Sequence, residues 1–332
     1  MAKIDIADFS IGLAAISDAE RPDPDTVYDL LILGGSAAAM TAAVYAARKL
    51  MKTAILAREV GGQMAYTSEI ENYMGFQAIS GRELTQRFEE QVKHFNVPIG
   101  LGENIVEVKR QDEVFNTVLE SGAAHRSRTV IFATGKRPRG LGVPGEAELR
   151  GKGVAYCAIC DAPFFKDKRV VVAGGGNSAF TAALDLAKVA TEVTVVNNIR
   201  GWQADPIMQE SVKRRGNARL LDYHEITGIE GTEGVTGVRV KDRDSGKDEL
   251  IAADGIFIEI GLIPNSDPVK DLVKLNQQGE VIVDCHCRTN VEGFFAAGDV
   301  TTVPYKQIVI SAGEGAKAAL SAYDYMTKRG LI

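Results

Sequence analysis

The sequence predicts an α/β protein built from two dinucleotide-binding, Rossmann-like three-layer domains, the second inserted in the first. Three observations predict it. The apolar run Leu31-Ile32-Leu33 enters Gly34-Gly35-Ser36-Ala37-Ala38-Ala39 and then the alanine-rich Thr41–Lys49, the pattern of a strand, a phosphate turn and a closely packed helix. The same order recurs where Val170-Val171-Val172 enters Gly174-Gly175-Gly176-Asn177-Ser178-Ala179. The segment beyond residue 265 is too short to fold alone, so it is expected to rejoin the first domain. An insertion at an exposed loop leaves both cores intact.

Taken in order, residues 1–27 read as an N-terminal extension, packed on the surface or partly mobile, ending in the loop-like Arg21-Pro22-Asp23-Pro24-Asp25. The first domain is expected over 28–140 and 266–332. Its second strand is Thr53–Leu56, Glu83–Lys93 has the polar helix formers of a surface helix, and Thr129–Ala133 is a buried strand that stops at Thr134-Gly135. The Gly- and Pro-rich Pro138–Gly145 marks the crossing into an inserted domain over 141–265. There Val170–Ala173, the second turn, a helix through Lys188 and the strand Glu192–Val196 make a βαβ unit. Alternation over Ile226–Val240 reads as β structure, and Ile256–Pro264 closes the domain. The remainder contributes Val281–Val283, Gly293–Asp299 and a last alanine-rich helix from Gly313.

Composition narrows the function classes. A chain of 332 residues with 45% hydrophobic content has enough material for two cores, and a net charge of −6 with mixed signs gives no field for nucleic acid or an anionic membrane. Acidic residues in Met1–Asp8 argue against an export signal, and the apolar stretches break before the roughly 20 residues needed to span a bilayer. The expected location is the cytoplasm. The four histidines are scattered and offer no hydrolase triad. Cys285 and Cys287 alternate with Asp284 and His286 in an apparent strand, which would point both thiols to one face. They read as structural, with a metal site or secondary redox pair as the alternatives.

The chemistry concentrates in Cys157-Ala158-Ile159-Cys160-Asp161, whose spacing permits a strained, reversible local disulfide. A zinc half-site would need a second Cys or His pair, and none follows at knuckle spacing. Asp161 would move a proton if partial burial raises its pKa. In the first turn Gly34 supplies the tight bend, Ser36 stands where a second glycine is usual and its Cβ crowds the approach, and Ala39 is small enough for helix packing. Glu59, after the second strand, is in reach of a ribose hydroxyl. The second turn has Gly174, Gly176 and Ala179 in place. At the end of its following strand, Asn197 and Asn198 supply neither an acid for an unmodified ribose nor a base for a 2′-phosphate. Arg200, Lys213, Arg214 and Arg215 lie nearby as surface charges that could enter that site.

These residues, with Gly61-Gly62-Gln63-Met64, Ile70-Glu71-Asn72-Tyr73, Ala133-Thr134-Gly135, Val143-Pro144-Gly145-Glu146, Gly298-Asp299 and Tyr305-Lys306-Gln307, resemble the low-molecular-weight thioredoxin reductase family. The chain is especially similar to the C-terminal flavoprotein portion of the reductase component of bacterial alkyl hydroperoxide reductase. The resemblance implies FAD in the first site, bordered by Gly34, Gly35, Ser36, Ala37, Ala38, Glu59, Gly61, Gly62, Gln63, Asn72, Thr134 and Gly135. It also implies Asp299 beside Gly298 at the ribityl chain, with Gln307 and the helix N-terminus from Ile308 covering the isoalloxazine and Lys306 among the cofactor-binding residues. A nicotinamide cofactor would occupy Gly174, Gly176, Asn177, Ser178, Ala179 and Asn197. Cys160 would be the flavin-proximal thiol, Cys157 the interchange thiol and Asp161 the acid–base group. The family relays electrons from the nicotinamide through flavin and disulfide to a partner protein, rotates its inserted domain between the two steps, and is homodimeric.

Three departures shape the expectation. Asn197, Asn198, Ile199 and Gln203 stand where a basic cluster would hold a 2′-phosphate, and Asn197 also stands near the place where the peroxide-reductase relatives often carry an acid for NADH, so only the missing cluster favours NADH over NADPH. The residues before Tyr28 carry no cysteine, unlike the thioredoxin-like modules of the peroxide-reductase component, so the expected acceptor is a separate protein: thioredoxin or a thioredoxin-like carrier. A peroxiredoxin-system reductase or a ferredoxin-dependent disulfide reductase is the alternative. Asp161-Ala162-Pro163-Phe164-Phe165-Lys166 also resembles the peroxide-reductase loop more than the common thioredoxin-reductase one.

Overall fold

Runs of β-branched residues bounded by glycine, alternating with alanine-rich stretches, dictate parallel strands joined by helices. The computed structural model describes residues 21–67, 70–156 and 158–332, with the backbone alone for Tyr66, Ile159 and Cys160. Of these, the residues in Met1–Ala65, Glu71–Lys136 and Pro264–Ile332 form one compact unit, and those in Tyr66–Ile70 and Arg137–Ile263 a second. The chain passes between them through Lys136–Pro138 and Leu262–Pro264, which pair as a two-stranded sheet. The α-helices are Ala37–Arg48 (α1), Gly81–His94 (α2), Ala158–Asp161 (α3), Asn177–Leu186 (α4), Pro206–Lys213 (α5) and Ile308–Lys328 (α6).

In the first unit Val27–Leu33 lies between Thr53–Ala57 and Ala124–Phe132, parallel to both. The far edge of Ala124–Phe132 is shared. Its first half pairs antiparallel with Val114–Leu119, and its second half parallel with Phe294–Ala296, the strand that returns from the C-terminal segment. Both sheet faces are covered, which is why the strands read as unbroken apolar runs. Leu30, Ile32, Ile55 and Ile131 pack with α1 and α6, while Leu31, Leu33, Leu56 and Phe132 pack with Val108, Phe115 and Leu119 of the antiparallel strands. The alanines of α1 allow α6 to approach closely: a Cβ on Gly315 would collide with the Ala38 carbonyl.

The second unit repeats the plan. Its parallel sheet runs in the order Ala218–Asp222, Glu192–Asn197, Arg169–Ala173, Gly255–Ile258, Val154–Ala155. Val170, Val172, Val193, Val195 and Phe257 bury against α4, and Val171, Val196, Ile256 and Ile258 against the antiparallel sheet His224–Gly231, Val235–Asp242, Asp248–Ala252. The alternation over Ile226–Val240 is thus that of a hairpin, and the third strand follows beyond it at Asp248–Ala252.

Two expectations are corrected. Helix α6 starts at Ile308, ahead of Gly313, because Gln307 is an extended N-cap residue. Cys285 and Cys287 do not share a strand face. Asp284 Oδ1 accepts from the amides of His286 at 2.8 Å and Arg288 at 2.9 Å, forming a turn in which Cys287 takes φ 62°. Cys285 is therefore exposed, whereas Cys287 is buried and donates its thiol proton to Glu314 Oε2 at 3.1 Å. Desolvation raises the Cys287 thiol pKa, so it is an inert packing group.

Candidate active site

The first turn is shaped by close approach. Gly34 has φ 134°, and a Cβ there would collide with the Ala133 carbonyl; one on Gly35 would collide with the Glu59 carbonyl. The first intrahelical bond of α1 runs from Met40 N–H to Ser36 O, leaving the amides of Ala37, Ala38 and Ala39 outside the helix ladder. Ser36 does not cap them. Its hydroxyl donates to Gly61 O at 2.6 Å, and Gly61 N–H donates to Gly35 O at 2.7 Å, so the residue replacing the usual glycine ties the phosphate turn to the Gly61–Gly62 loop. Gln63 Nε2 donates to Lys136 O at 2.8 Å, and Glu59 is exposed beyond the second strand.

The C-terminal segment brings the other half of this site into the same unit. Asp299 follows Gly298 and accepts from Ser311 Oγ at 3.1 Å, and desolvation raises its carboxyl above the usual range. Thr134 and Asn265 exchange two bonds of 2.9 Å, fixing the chain next to Gly135. Lys306 Nζ donates to Thr301 O and Val303 O at 2.6 Å each and lies 3.4 Å from Glu280 Oε1, so the lysine holds its own loop and ties it to Glu280. Asn72 Nδ2 donates to Gln307 Oε1 at 3.1 Å, and Ile308 opens α6. Orphan amides at a helix N-terminus facing a glycine turn, with a buried carboxyl in the same unit, suit a diphosphate and a polyhydroxyl chain. The residues present fit FAD.

The second turn follows the same logic. Gly174 has φ 138° and abuts Glu259; Gly175 lies over Asn197; and Gly176, the N-cap of α4, has open space around it. Asn177 exchanges bonds of 3.1 and 2.8 Å with Asp205, Ser178 is exposed and Ala179 is buried. Asn197 is buried, and its amide donates to Ile199 O, Gly201 O and Asp222 Oδ1 at 2.6, 3.0 and 3.1 Å. It organises the loop after its strand. Arg200 pairs with Asp244 and stacks 4.1 Å over Tyr223, while Lys213 pairs with Glu210 at 3.0 Å. The basic groups singled out in the sequence thus have anionic partners of their own at Arg200 and Lys213.

The CxxC segment is held in the second unit. Cys157 and the side chain of Cys160 lie outside the described residues; the backbone of Cys160 is in α3. Upstream, Tyr156 donates its hydroxyl to Glu146 Oε1 at 2.6 Å, and the Glu146 carboxylate also accepts from the Leu141 and Gly142 amides at 3.2 and 2.7 Å. Burial, aided by this carboxylate, pushes the Tyr156 phenol up to about 12. Downstream, desolvation pushes Asp161 up to about 6. From the adjoining strand, Glu259 Oε1 accepts from Ala158 N–H at 3.4 Å and is pushed up to about 7, again mainly by desolvation. Glu259 was not singled out in the sequence, and Glu146 entered only as the end of a motif, because a buried carboxylate looks there like any surface one.

One glycine turn in each unit, and in the second unit the helix α3 that carries Cys160, match the plan of a two-nucleotide redox enzyme. The chain belongs to the pyridine nucleotide–disulphide oxidoreductase family, whose model matches residues 28–316. It is 43% identical over 319 residues to the F subunit of alkyl hydroperoxide reductase of Pseudomonas putida, covering 95% of this chain and 61% of that protein. With the corresponding F subunit of Staphylococcus aureus it shares 40% identity over 326 residues, 98% of this chain and 64% of the other. The chain thus spans somewhat under two thirds of the length of these relatives. Thioredoxin reductase from Streptococcus pyogenes superposes with a TM-score of 0.75 and 36% identity, covering 91% of this chain and 99% of that one. The chain is therefore a flavin-dependent enzyme of the low-molecular-weight thioredoxin reductase type, using FAD and a pyridine nucleotide in disulfide redox chemistry. No helix among the described residues is long and apolar enough to cross a membrane.

Proposed function

We propose that this chain is the flavoprotein reductase of a peroxide-detoxifying disulfide system, passing electrons from NADH to Cys157 and Cys160 and on to a peroxiredoxin or its thioredoxin-like carrier. The observation that carries this reading is the 40–43% identity to the F subunits of alkyl hydroperoxide reductase over 95–98% of the chain, against 30–39% for the solved thioredoxin reductases. Thioredoxin itself, the acceptor expected first from the sequence, becomes the second reading.

The chemistry supplied when FAD is bound is two-electron transfer between a nicotinamide and a disulfide. The amides of Ala37–Ala39 and of Asn177–Ala179 would each bind a diphosphate, and Asp299 the ribityl hydroxyls. Reduction of a Cys157–Cys160 disulfide takes two electrons and one proton, leaving one thiol and one thiolate. Asp161, with its carboxyl at about 6, holds or releases that proton near neutral pH. Cys157 then attacks the partner's disulfide. Donor choice follows from the inward-turned Asn197 and the paired Arg200, which leave the desolvation of a 2′-phosphate uncompensated. The family resemblance further supports a homodimer, to be checked by sedimentation at assay concentration.

The test pairs each donor (NADH, NADPH, reduced ferredoxin) with each acceptor (thioredoxin, and a peroxiredoxin with hydroperoxide). NADH with the peroxiredoxin system is expected to give the highest kcat/KM. Turnover with thioredoxin alone would return the acceptor to the second reading, and rapid turnover with ferredoxin alone would overturn the donor.

A further inference from the structure

Glu259 touches both working parts of the second unit. Its N–H donates to Ala173 O at 2.8 Å, and its carbonyl sits where a Cβ on Gly174 would collide, so its backbone abuts the Gly174–Ala179 turn. Its carboxylate accepts from Ala158 N–H, the amide joined to Cys157 and the first of α3. Few other charges bear on it. On the strands paired with Gly255–Ile258, Arg169 is committed to Asp254 and the Gly174–Gly176 turn has no titratable group. Tyr156, after Val154–Ala155, is committed to Glu146. Asp161 on α3 is itself raised by burial.

We propose that Glu259 is a positioning residue that couples nucleotide binding to the charge beside the CxxC segment: docking of a diphosphate on the Gly174–Ala179 turn drives a proton onto its carboxyl. This rests on the reading of that turn as the pyridine-nucleotide site. A diphosphate brings negative charge to the turn, which disfavours an ionised carboxylate nearby, and desolvation weakens the water that would otherwise screen the two. The proton comes from solvent, and no covalent bond changes. Once neutral, Glu259 no longer places a negative charge at the Ala158 amide, where α3 begins. By linkage, protonating Glu259 strengthens nucleotide binding to the same degree.

The experiment is calorimetric titration of the oxidised holoenzyme with ADP-ribose in buffers of different ionisation enthalpy, from pH 5 to 9. A carboxyl with a pKa of about 7, raised by about one unit, takes up about 0.4 proton at pH 7 and almost none at the extremes, with a maximum near pH 7.5. Glu259→Gln is expected to bind ADP-ribose without that uptake, and Glu259→Asp to retain part of it. A carboxylate that only braced Ala158 would leave the proton count unmoved. Binding with no uptake in the unaltered enzyme, a flat pH profile, or undiminished uptake in Glu259→Gln overturns the inference while sparing the nucleotide site. Absence of any binding heat overturns the nucleotide reading and the inference together.

Discussion

Asp161, the proposed acid–base group of the exchange, has its carboxyl raised by burial to about 6, within reach of neutral pH. The folded-state value is above the unfolded one, so ionisation disfavours the fold: the contribution to stability is fully present below the unfolded pKa and is lost as pH rises through about 6. Asp161→Asn should therefore raise Tm more at pH 8 than at pH 5, while lowering disulfide turnover about 100-fold and removing an inflection near pH 6 from its pH profile. Thermal melts and kcat/KM across pH check both. Ser36 tests the first site. Ser36→Ala removes the donor to Gly61 O, worth about 1 kcal/mol, and should weaken FAD retention roughly fivefold, measured by flavin release on dialysis.

At the scale of elements, the loop Arg139–Glu146 and the residue before the first motif cysteine are joined through one carboxylate. Glu146→Ala would strand the Leu141 and Gly142 amides and the Tyr156 hydroxyl. We expect it to destabilise the second unit by about 2–4 kcal/mol, since breaking charge-assisted bonds in a part-buried site costs about that much. Denaturant melts followed by a probe in that unit would show the loss, with Glu146→Gln losing less. These elements also show what was legible in the sequence. The parallel strands were readable because burial on both faces leaves a continuous apolar run, as in Leu30–Leu33 and Val170–Ala173. The glycine turns were readable because the positive φ of Gly34 and Gly174 and the backbone pressed against them exclude a side chain. The start of α6 was not, since an extended Gln307 carries no mark in composition. Nor was the turn at Asp284, which uses a side chain to bend a stretch whose alternation imitates a strand. The roles of Glu146 and Glu259 were hidden for a related reason: what distinguishes them is what surrounds them in space.

For the whole molecule, the proposed preference for NADH rests on one strand end. With Asn197 turned inward and Arg200 committed to Asp244, NADH is expected to exceed NADPH in kcat/KM, and each tenfold margin corresponds to about 1.4 kcal/mol of transition-state stabilisation. Initial rates with both donors check it, and Asp244→Asn, which frees Arg200, should narrow the margin. The central claim is that Cys157 and Cys160 relay electrons between the flavin and a partner protein, with different duties. The most direct measurement is the long-wavelength thiolate-to-flavin absorbance of the reduced holoenzyme in the two single serine variants, alongside turnover with the protein acceptor. Cys157→Ser should keep that band and fail to reduce the acceptor, because the thiol at the flavin survives and the attacking one is gone; Cys160→Ser should lose both. The opposite pattern of bands would exchange the two roles, and normal turnover in both variants would contradict the relay itself.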